Sequence, residues 1–152
     1  MTVIAAAATH DQQLGPMPEW NLADLYTAPD APEVARDIAA SAAEAKRLKD
    51  TYQGRFATVA KDGAKLAEAV IAYEKLSDVM GKLGSYAGLL YAANQADPVR
   101  AKFYGDVSER LTAIYTDLIF FELELNLIDD ATLDAAITHK DLARYKPWFD
   151  DL

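Results

Sequence analysis

Apolar residues recur at steps of three and four along most of the chain, which is the spacing of one face of an α-helix. Three long stretches show this pattern, and each follows an aspartate of the kind that caps helices. No stretch alternates with period two for long enough to predict a strand. Short connections place successive long helices side by side in opposite directions. The pattern therefore predicts an all-α fold, an antiparallel bundle of three long helices with one or two short C-terminal helices.

The first predicted helix begins near Asp30, an N-cap candidate that is followed by Pro32 in the first turn and by Glu33 at the capping-box position. We expect it to stop at Gly54. This helix is amphipathic, and its apolar face is expected to be buried. It carries Val34, Ile38, Ser41 or Ala42, Ala45, Leu48 and Tyr52.

The second predicted helix is longer, begins after Asp62 and ends near Asp97-Pro98. Its expected buried face carries Leu66, Val70, Tyr73, Leu76, Met80, Leu83, Ala87 and Tyr91. Small residues lie along one side of it, and the three glycines among them cost about 2–3 kcal/mol relative to alanine. Such a cost indicates that another backbone approaches closely, or that the helix bends, and we favour close packing. The expected close-packing face consists of Gly81, Gly84, Ser85 and Gly88.

The third predicted helix follows Asp97-Pro98 and is expected to be the central one. Its apolar face carries Val99, Phe103, Val107, Leu111, Ile114 or Tyr115, Leu118, Phe121 and Leu125. It closes on the run Phe120–Asn126, where carboxylates alternate with large apolar residues, so one flank must be covered by something else. A short fourth helix is expected from Asp129 or Asp130 toward His139, and a further segment from about Asp141 to just beyond Pro147.

Residues 1–28 are expected to form an irregular leader ahead of the helical lobe, residues 29–152, because Gly15, Pro16 and Pro18 prevent a helix there. The apolar start Met1–Ala8 has no basic residue before it, which argues against a secretory signal. No apolar run approaches the roughly 20 residues that cross a bilayer. Cysteine is absent, which fits a reducing compartment. We therefore expect a cytoplasmic protein that does not associate with a membrane.

The net charge of −9 argues against a nucleic-acid partner, because no cluster of Lys and Arg is present to neutralise phosphates. Zinc catalysis needs closely spaced ligands such as H-E-x-x-H, and this motif does not occur. The two histidines, His10 and His139, lack partners at i+3 or i+4 that would complete a site. Neither a metal site nor a catalytic residue is predicted in this chain.

Four segments, taken in order, resemble the oligoendopeptidase F branch of the thimet oligopeptidase-like zinc metallopeptidases. Pro18–Tyr26 is similar to the family's Pro-x-Trp-x-Leu-x-x-Leu-Tyr start. Tyr73–Leu76 and Ser85–Asn94 resemble its second-helix motif, and Phe120–Asn126 resembles its third. The resemblance covers most of the chain, and no single segment carries it alone.

The resemblance implies a cytoplasmic zinc enzyme that cuts short peptides in a channel between two helical lobes. This chain would be the non-catalytic N-terminal lobe, truncated at its C-terminus, with the catalytic lobe as its missing partner. Zinc would be bound by that missing lobe, so no cofactor is expected in this chain. Short peptides would be the ligands of the whole enzyme, and the chain's possible channel-wall residues are Tyr86, Tyr91, Glu122 and Glu124.

A free-standing helical interaction module is the alternative, with the close-packing face receiving a partner helix. An enzyme in its own right is the least favoured reading. A lobe separated from its neighbour would expose apolar faces and could self-associate through them.

Overall fold

The computed structural model describes residues 20–152, and over that range the chain is all-α, with seven α-helices, one 3₁₀ turn and no strand. The predicted fold class is confirmed for this part of the chain. The helices are α1 (Pro32–Tyr52), α2 (Phe56–Val59), α3 (Gly63–Ala93), α4 (Pro98–Thr116), α5 (Ile119–Leu125), α6 (Asp130–Ile137) and α7 (Lys146–Asp150), with the 3₁₀ turn at Ala143–Tyr145 before α7.

The centre of the bundle is α3, which packs against both α1 and α4. The expectation that the third predicted helix would be central is therefore wrong. Two contacts give the relative direction of α3 and α4. Gly84 faces Leu111 near the end of α4, whereas Tyr91 stacks on Tyr104 near its start. Because later residues of α3 meet earlier residues of α4, these two helices are antiparallel.

The position of α1 is fixed at both of its ends. Tyr26, just before α1, donates a hydrogen bond to Asp37 (2.9 Å), and the ammonium of Lys82 lies 4.2 Å from the centre of its ring. At the other end, Lys49 pairs with Asp117 after α4 (2.7 Å). The start of α1 therefore meets the second half of α3, and its end meets the end of α4. This makes α1 antiparallel to α3 and parallel to α4.

Aspartate caps begin three of the helices, as the sequence predicts. The carboxylates of Asp62, Asp97 and Asp129 accept hydrogen bonds from backbone N–H groups of the first turns of α3, α4 and α6. The prediction for α1 is wrong, because its N-cap is Ala31 and not Asp30, and no side chain caps it. A proline in the first turn already lacks one of the N–H groups that a cap would satisfy.

The ends of α1 and α3 follow from a glycine and an asparagine. Helix α1 ends at Tyr52, and Gly54 has φ of +75°, a conformation that glycine adopts without steric cost. Helix α3 ends at Ala93, several residues before the predicted limit. There the side chain of Asn94 accepts a hydrogen bond from the N–H of Ala96 (3.2 Å), a local turn that competes with the helix.

The third predicted helix is divided into α4 and α5 at Asp117 and Leu118. Thr112 donates its hydroxyl hydrogen bond to the carbonyl of Ser108 (2.8 Å), and Thr116 donates to that of Thr112 (3.0 Å). Such bonds to the i−4 carbonyl weaken and bend helices. Leu118, at the division, is buried, as the apolar pattern predicts.

The expected apolar face is buried along all of α1, where Ser41 and not the alternative Ala42 is buried. It is also buried along most of α3. Val99 was expected on the buried face of the third helix but is exposed, and of the alternatives Ile114 and Tyr115 it is Ile114 that is buried. The short α2 was not predicted. It places Phe56 in the core, where its ring meets that of Phe121 edge to face at 4.8 Å between centroids.

Candidate functional site

An open cavity of about 410 Å³ lies between α3, α5 and the C-terminal segment of the fold. One wall belongs to α3, which contributes residues at positions i, i+3, i+4 and i+7 of a single helix face. These residues are Val70, Tyr73, Glu74 and Ser77. The opposite wall consists of Glu122, Tyr145 and Trp148. We refer to this cavity as the aromatic groove.

One carboxylate of the aromatic groove is held by a buried tyrosine. The hydroxyl of Tyr73 donates a hydrogen bond to Glu122 (2.9 Å), and its ring stacks with those of Phe121 and Trp148 at 4.2 and 6.1 Å between centroids. Burial and the neighbouring Glu122 carboxylate raise the pKa of Tyr73 well above its usual value. The hydroxyl therefore stays protonated and remains a donor.

The second carboxylate is neutralised by an arginine. Tyr145 donates its hydroxyl hydrogen bond to Glu74 (2.7 Å), and the guanidinium of Arg144 contacts both of them. Burial and then Glu74 raise the pKa of the Tyr145 hydroxyl. Among residues 20–152, no Lys, Arg or His nitrogen lies within 4.0 Å of the Glu122 carboxylate. The two acids of the groove therefore differ, because Glu74 has a cationic partner in this part of the chain and Glu122 does not.

The other acid of the expected pair has a structural contact. Both carboxylate oxygens of Glu124 accept a hydrogen bond from the N–H of Gly54, at 2.7 and 2.9 Å. This contact joins α5 to the loop that follows α1. Glu122 and Glu124 thus serve different parts of the fold, although they are two residues apart.

The two tyrosines expected on a channel wall lie elsewhere. Tyr86 is buried in the core, where its ring packs edge to face on Tyr26 at 5.2 Å, and Tyr91 stacks on Tyr104. Tyr86 and Tyr91 come 13 and 18 residues after Tyr73 on the same helix, or about 20 and 27 Å along its axis at 1.5 Å per residue. The structure does not bring these tyrosines together with Glu122 and Glu124.

The expected close-packing face is not approached by another backbone at its glycines. A Cβ added to Gly84 or Gly88 would lie 3.5 or 3.9 Å from side-chain atoms of α4, which is ordinary van der Waals contact. A Cβ added to Gly81 would meet no atom within 4 Å among the residues described, and Ser85 is exposed.

A close backbone approach occurs instead at Gly63, which the sequence pattern did not single out. A Cβ there would stand 2.9 Å from the Cβ of His139 and 3.0 Å from the carbonyl oxygen of Ala136. The end of α6 thus packs directly on the start of α3. His139 serves this packing, and His10 lies outside the described residues.

The family resemblance implies zinc in the missing lobe and none in this chain. Within residues 20–152, no group of three or more His, Asp or Glu side chains is placed to hold a metal ion. Zinc sites need three or four such ligands at short, defined distances.

A second surface feature lies along α4, α5 and the turn that follows α5. Tyr115, Ile119, Leu123 and Leu127 follow one another at steps of four and are exposed by 50%, 48%, 59% and 82%. Ile119 and Leu123 lie one turn apart on α5, Tyr115 lies near the end of α4, and Leu127 follows the end of α5. We refer to these four residues as the apolar row. Large exposed apolar groups of this kind mark interaction surfaces more often than scattered single residues do.

No helix of the described chain is both long enough and apolar enough to cross a membrane. Comparisons of the chain with protein-family models, with curated proteins and with solved structures returned no match.

Proposed function

We propose that this chain is the non-catalytic N-terminal lobe of an oligoendopeptidase F-like zinc metalloendopeptidase, an enzyme that hydrolyses short peptides. The observation that carries the proposal is the apolar row. Its central residues, Ile119 and Leu123, lie beside or within Phe120–Asn126, the segment that resembles the family's third-helix motif. A segment with this resemblance therefore presents apolar side chains that the described chain leaves about half exposed.

The apolar row would supply part of the free energy that holds a neighbouring lobe. Full burial of one large apolar side chain contributes about 1.5–3 kcal/mol, so burying the exposed part of these four contributes roughly 4–7 kcal/mol. The two predicted partners, the catalytic lobe and a short peptide, would both meet this chain near α5. The catalytic lobe would cover the row, and peptides would pass the aromatic groove, where Glu122 lines open space.

Zinc would belong to the catalytic lobe, where it would polarise the scissile carbonyl and activate water. The residues of this chain would contribute scaffold and channel wall. The family resemblance and the absence of cysteine support a cytoplasmic location.

The proposal is tested by expressing the complete reading frame and measuring hydrolysis of a quenched oligopeptide with zinc present. We expect an H-E-x-x-H motif after Leu152, zinc-dependent hydrolysis by the complete protein, and none by residues 1–152 alone. A reading frame without this motif would overturn the proposal. Hydrolysis by residues 1–152 alone would overturn it as well, because the lobe would then be an enzyme itself.

A free-standing interaction module is the second candidate, because the spacing of the apolar row also suits a partner helix. Sizing the chain alone separates the two candidates. A closed dimer that involves the row, with no downstream lobe encoded, favours the module. Open-ended association that ends when the downstream polypeptide is added favours the lobe.

A further inference from the structure

We propose that the aromatic groove is a binding site for an organic ammonium group, such as a lysine side chain or the N-terminus of a short peptide. This inference goes beyond the proposed function and does not depend on it, because it concerns binding to the described residues alone.

The size of the aromatic groove suits a small organic ligand. Its volume of about 410 Å³ falls within the range of roughly 300–1,000 Å³ that is typical of ligand pockets. An ammonium group with a short carbon chain fits this space. The groove is open on one side, so such a ligand could remain part of a longer peptide.

The charge of the aromatic groove favours a cation. Arg144 compensates Glu74, whereas Glu122 has no cationic partner among the described residues. The hydrogen bond from Tyr73 reaches only Oε1 of Glu122. A carboxylate accepts about four hydrogen bonds, so Glu122 can still receive an N–H donor from a ligand. A charged donor in that position would form a strong, charge-assisted hydrogen bond.

The aromatic lining also favours an organic cation. Tyr73, Tyr145 and Trp148 line the space beside Glu122. The ring of Tyr73 stacks with those of Phe121 and Trp148, and the guanidinium of Arg144 lies 4.5 Å from the centre of the Tyr145 ring. Trp148 is therefore the ring left to attract an ammonium group, and tryptophan is the best of the aromatic side chains for this. The same chain already places one ammonium over a ring, that of Lys82 over Tyr26. An anionic ligand would meet two carboxylates, and a bare metal ion would find too few ligands among the described residues.

Trp148 makes the site observable by fluorescence. The chain has two tryptophans, and the other one, Trp20, is 68% exposed and does not line the groove. A Trp20→Phe background therefore leaves Trp148 as the single reporter. The first probe is Nα-acetyl-lysine amide, which carries a side-chain ammonium. The second is dialanine amide, which carries an N-terminal ammonium, and the third is acetyl-dialanine amide, which is neutral.

We expect a saturable change in Trp148 fluorescence with at least one ammonium probe and none with the neutral probe. Binding of one probe alone identifies the source of the ammonium group. Glu122→Gln keeps an acceptor for Tyr73 but removes the charge, and it should weaken binding by about tenfold or more. Glu33→Gln, at an exposed acid on α1, is the matched control and should bind as the background does.

The proposal is overturned if no ammonium probe binds, if the neutral probe binds equally well, or if Glu122→Gln retains full affinity. Circular dichroism establishes that both variants fold. Should Glu122→Gln not fold, the background protein decides alone, because binding through a carboxylate must weaken as sodium chloride is added. Salt-independent binding would then reject the site.

Discussion

Replacing Gly63 with alanine tests the close contact between α3 and α6. The added Cβ would stand 2.9 Å from the Cβ of His139 and 3.0 Å from the backbone oxygen of Ala136. The optimum separation between carbon atoms is about 3.5–4.0 Å. Neither neighbouring atom is the free end of a flexible side chain, so α6 itself would have to move.

Two opposing effects set the change in the free energy of unfolding. Overpacking of this kind typically costs about 1–3 kcal/mol. Replacing glycine by alanine in a helix interior contributes up to about 1 kcal/mol in the other direction, and Gly63 sits at the first position of α3, where we expect less. Gly63→Ala should therefore lower the free energy of unfolding by about 1–2 kcal/mol, or the melting temperature by about 2–8 °C for a chain of this size.

Urea unfolding followed by far-UV circular dichroism measures this change, and Gly81→Ala is its matched control. Gly81 lies in the middle of α3, is exposed, and has no described atom within 4 Å of an added Cβ. Alanine at that position should raise the free energy of unfolding by about 0.5–1 kcal/mol. The two substitutions are chemically identical, so their difference in sign isolates the contact with α6.

The reasoning is refuted if Gly63→Ala is as stable as the unmodified chain or more stable. A loss of stability in Gly81→Ala would instead show that the expected close-packing face has a neighbour after all.

Further predictions concern the core and the attachment of the chain before α1. Leu125→Ala should lower the free energy of unfolding by about 2–5 kcal/mol because Leu125 is buried, whereas Leu123→Ala should change it by no more than about 0.5 kcal/mol; equal losses in urea unfolding would contradict the assigned orientation of α5. Tyr26→Phe should cost about 1 kcal/mol at neutral pH. Desolvation raises the pKa of Asp37, but hydrogen bonds from Tyr26 and Arg36 outweigh it and hold that pKa below its usual 3.8. This stabilisation is present above pH 3.8 and is lost as the pH falls through the lower folded-state pKa. Urea unfolding at neutral pH and at pH values below 3.8 should show the cost of Tyr26→Phe shrinking in acid. A cost that does not change with pH would exclude the hydrogen bond from Tyr26 to the charged Asp37.

The features that the sequence predicts well are local ones. An aspartate cap such as Asp62 acts on backbone groups two or three residues away, so its effect can be inferred without the fold. The buried face of α1 follows from helix periodicity alone. Gly54 ends that helix because of its own backbone conformation.

The features that were missed depend on distant parts of the chain. Four residues of α2 are too few to show a helical period, and only the core reveals why Phe56 belongs there. The division between α4 and α5 has a local cue in Thr112 and Thr116. The burial of Leu118 was not missed, because Leu118 lies on the expected apolar face.

The groove illustrates the same limit. The acids Glu122 and Glu124 stood out because they alternate with buried apolar residues, but their partners Tyr73 and Gly54 are 49 and 70 residues away. A hydrogen bond between the two walls of the groove joins Tyr145 to Glu74, which is 71 residues away. A pattern within one helix holds no information about such contacts.

Sedimentation velocity of residues 1–152, mixed with the polypeptide that the reading frame encodes after Leu152, tests most directly whether the apolar row packs on a neighbouring lobe. We predict a one-to-one complex for the unmodified chain and for Val99→Glu, an exposed apolar position outside the row. We predict none for the double variant Leu123→Glu with Leu127→Glu. An unmodified chain that sediments alone, or a double variant that still forms the complex, would contradict the proposal.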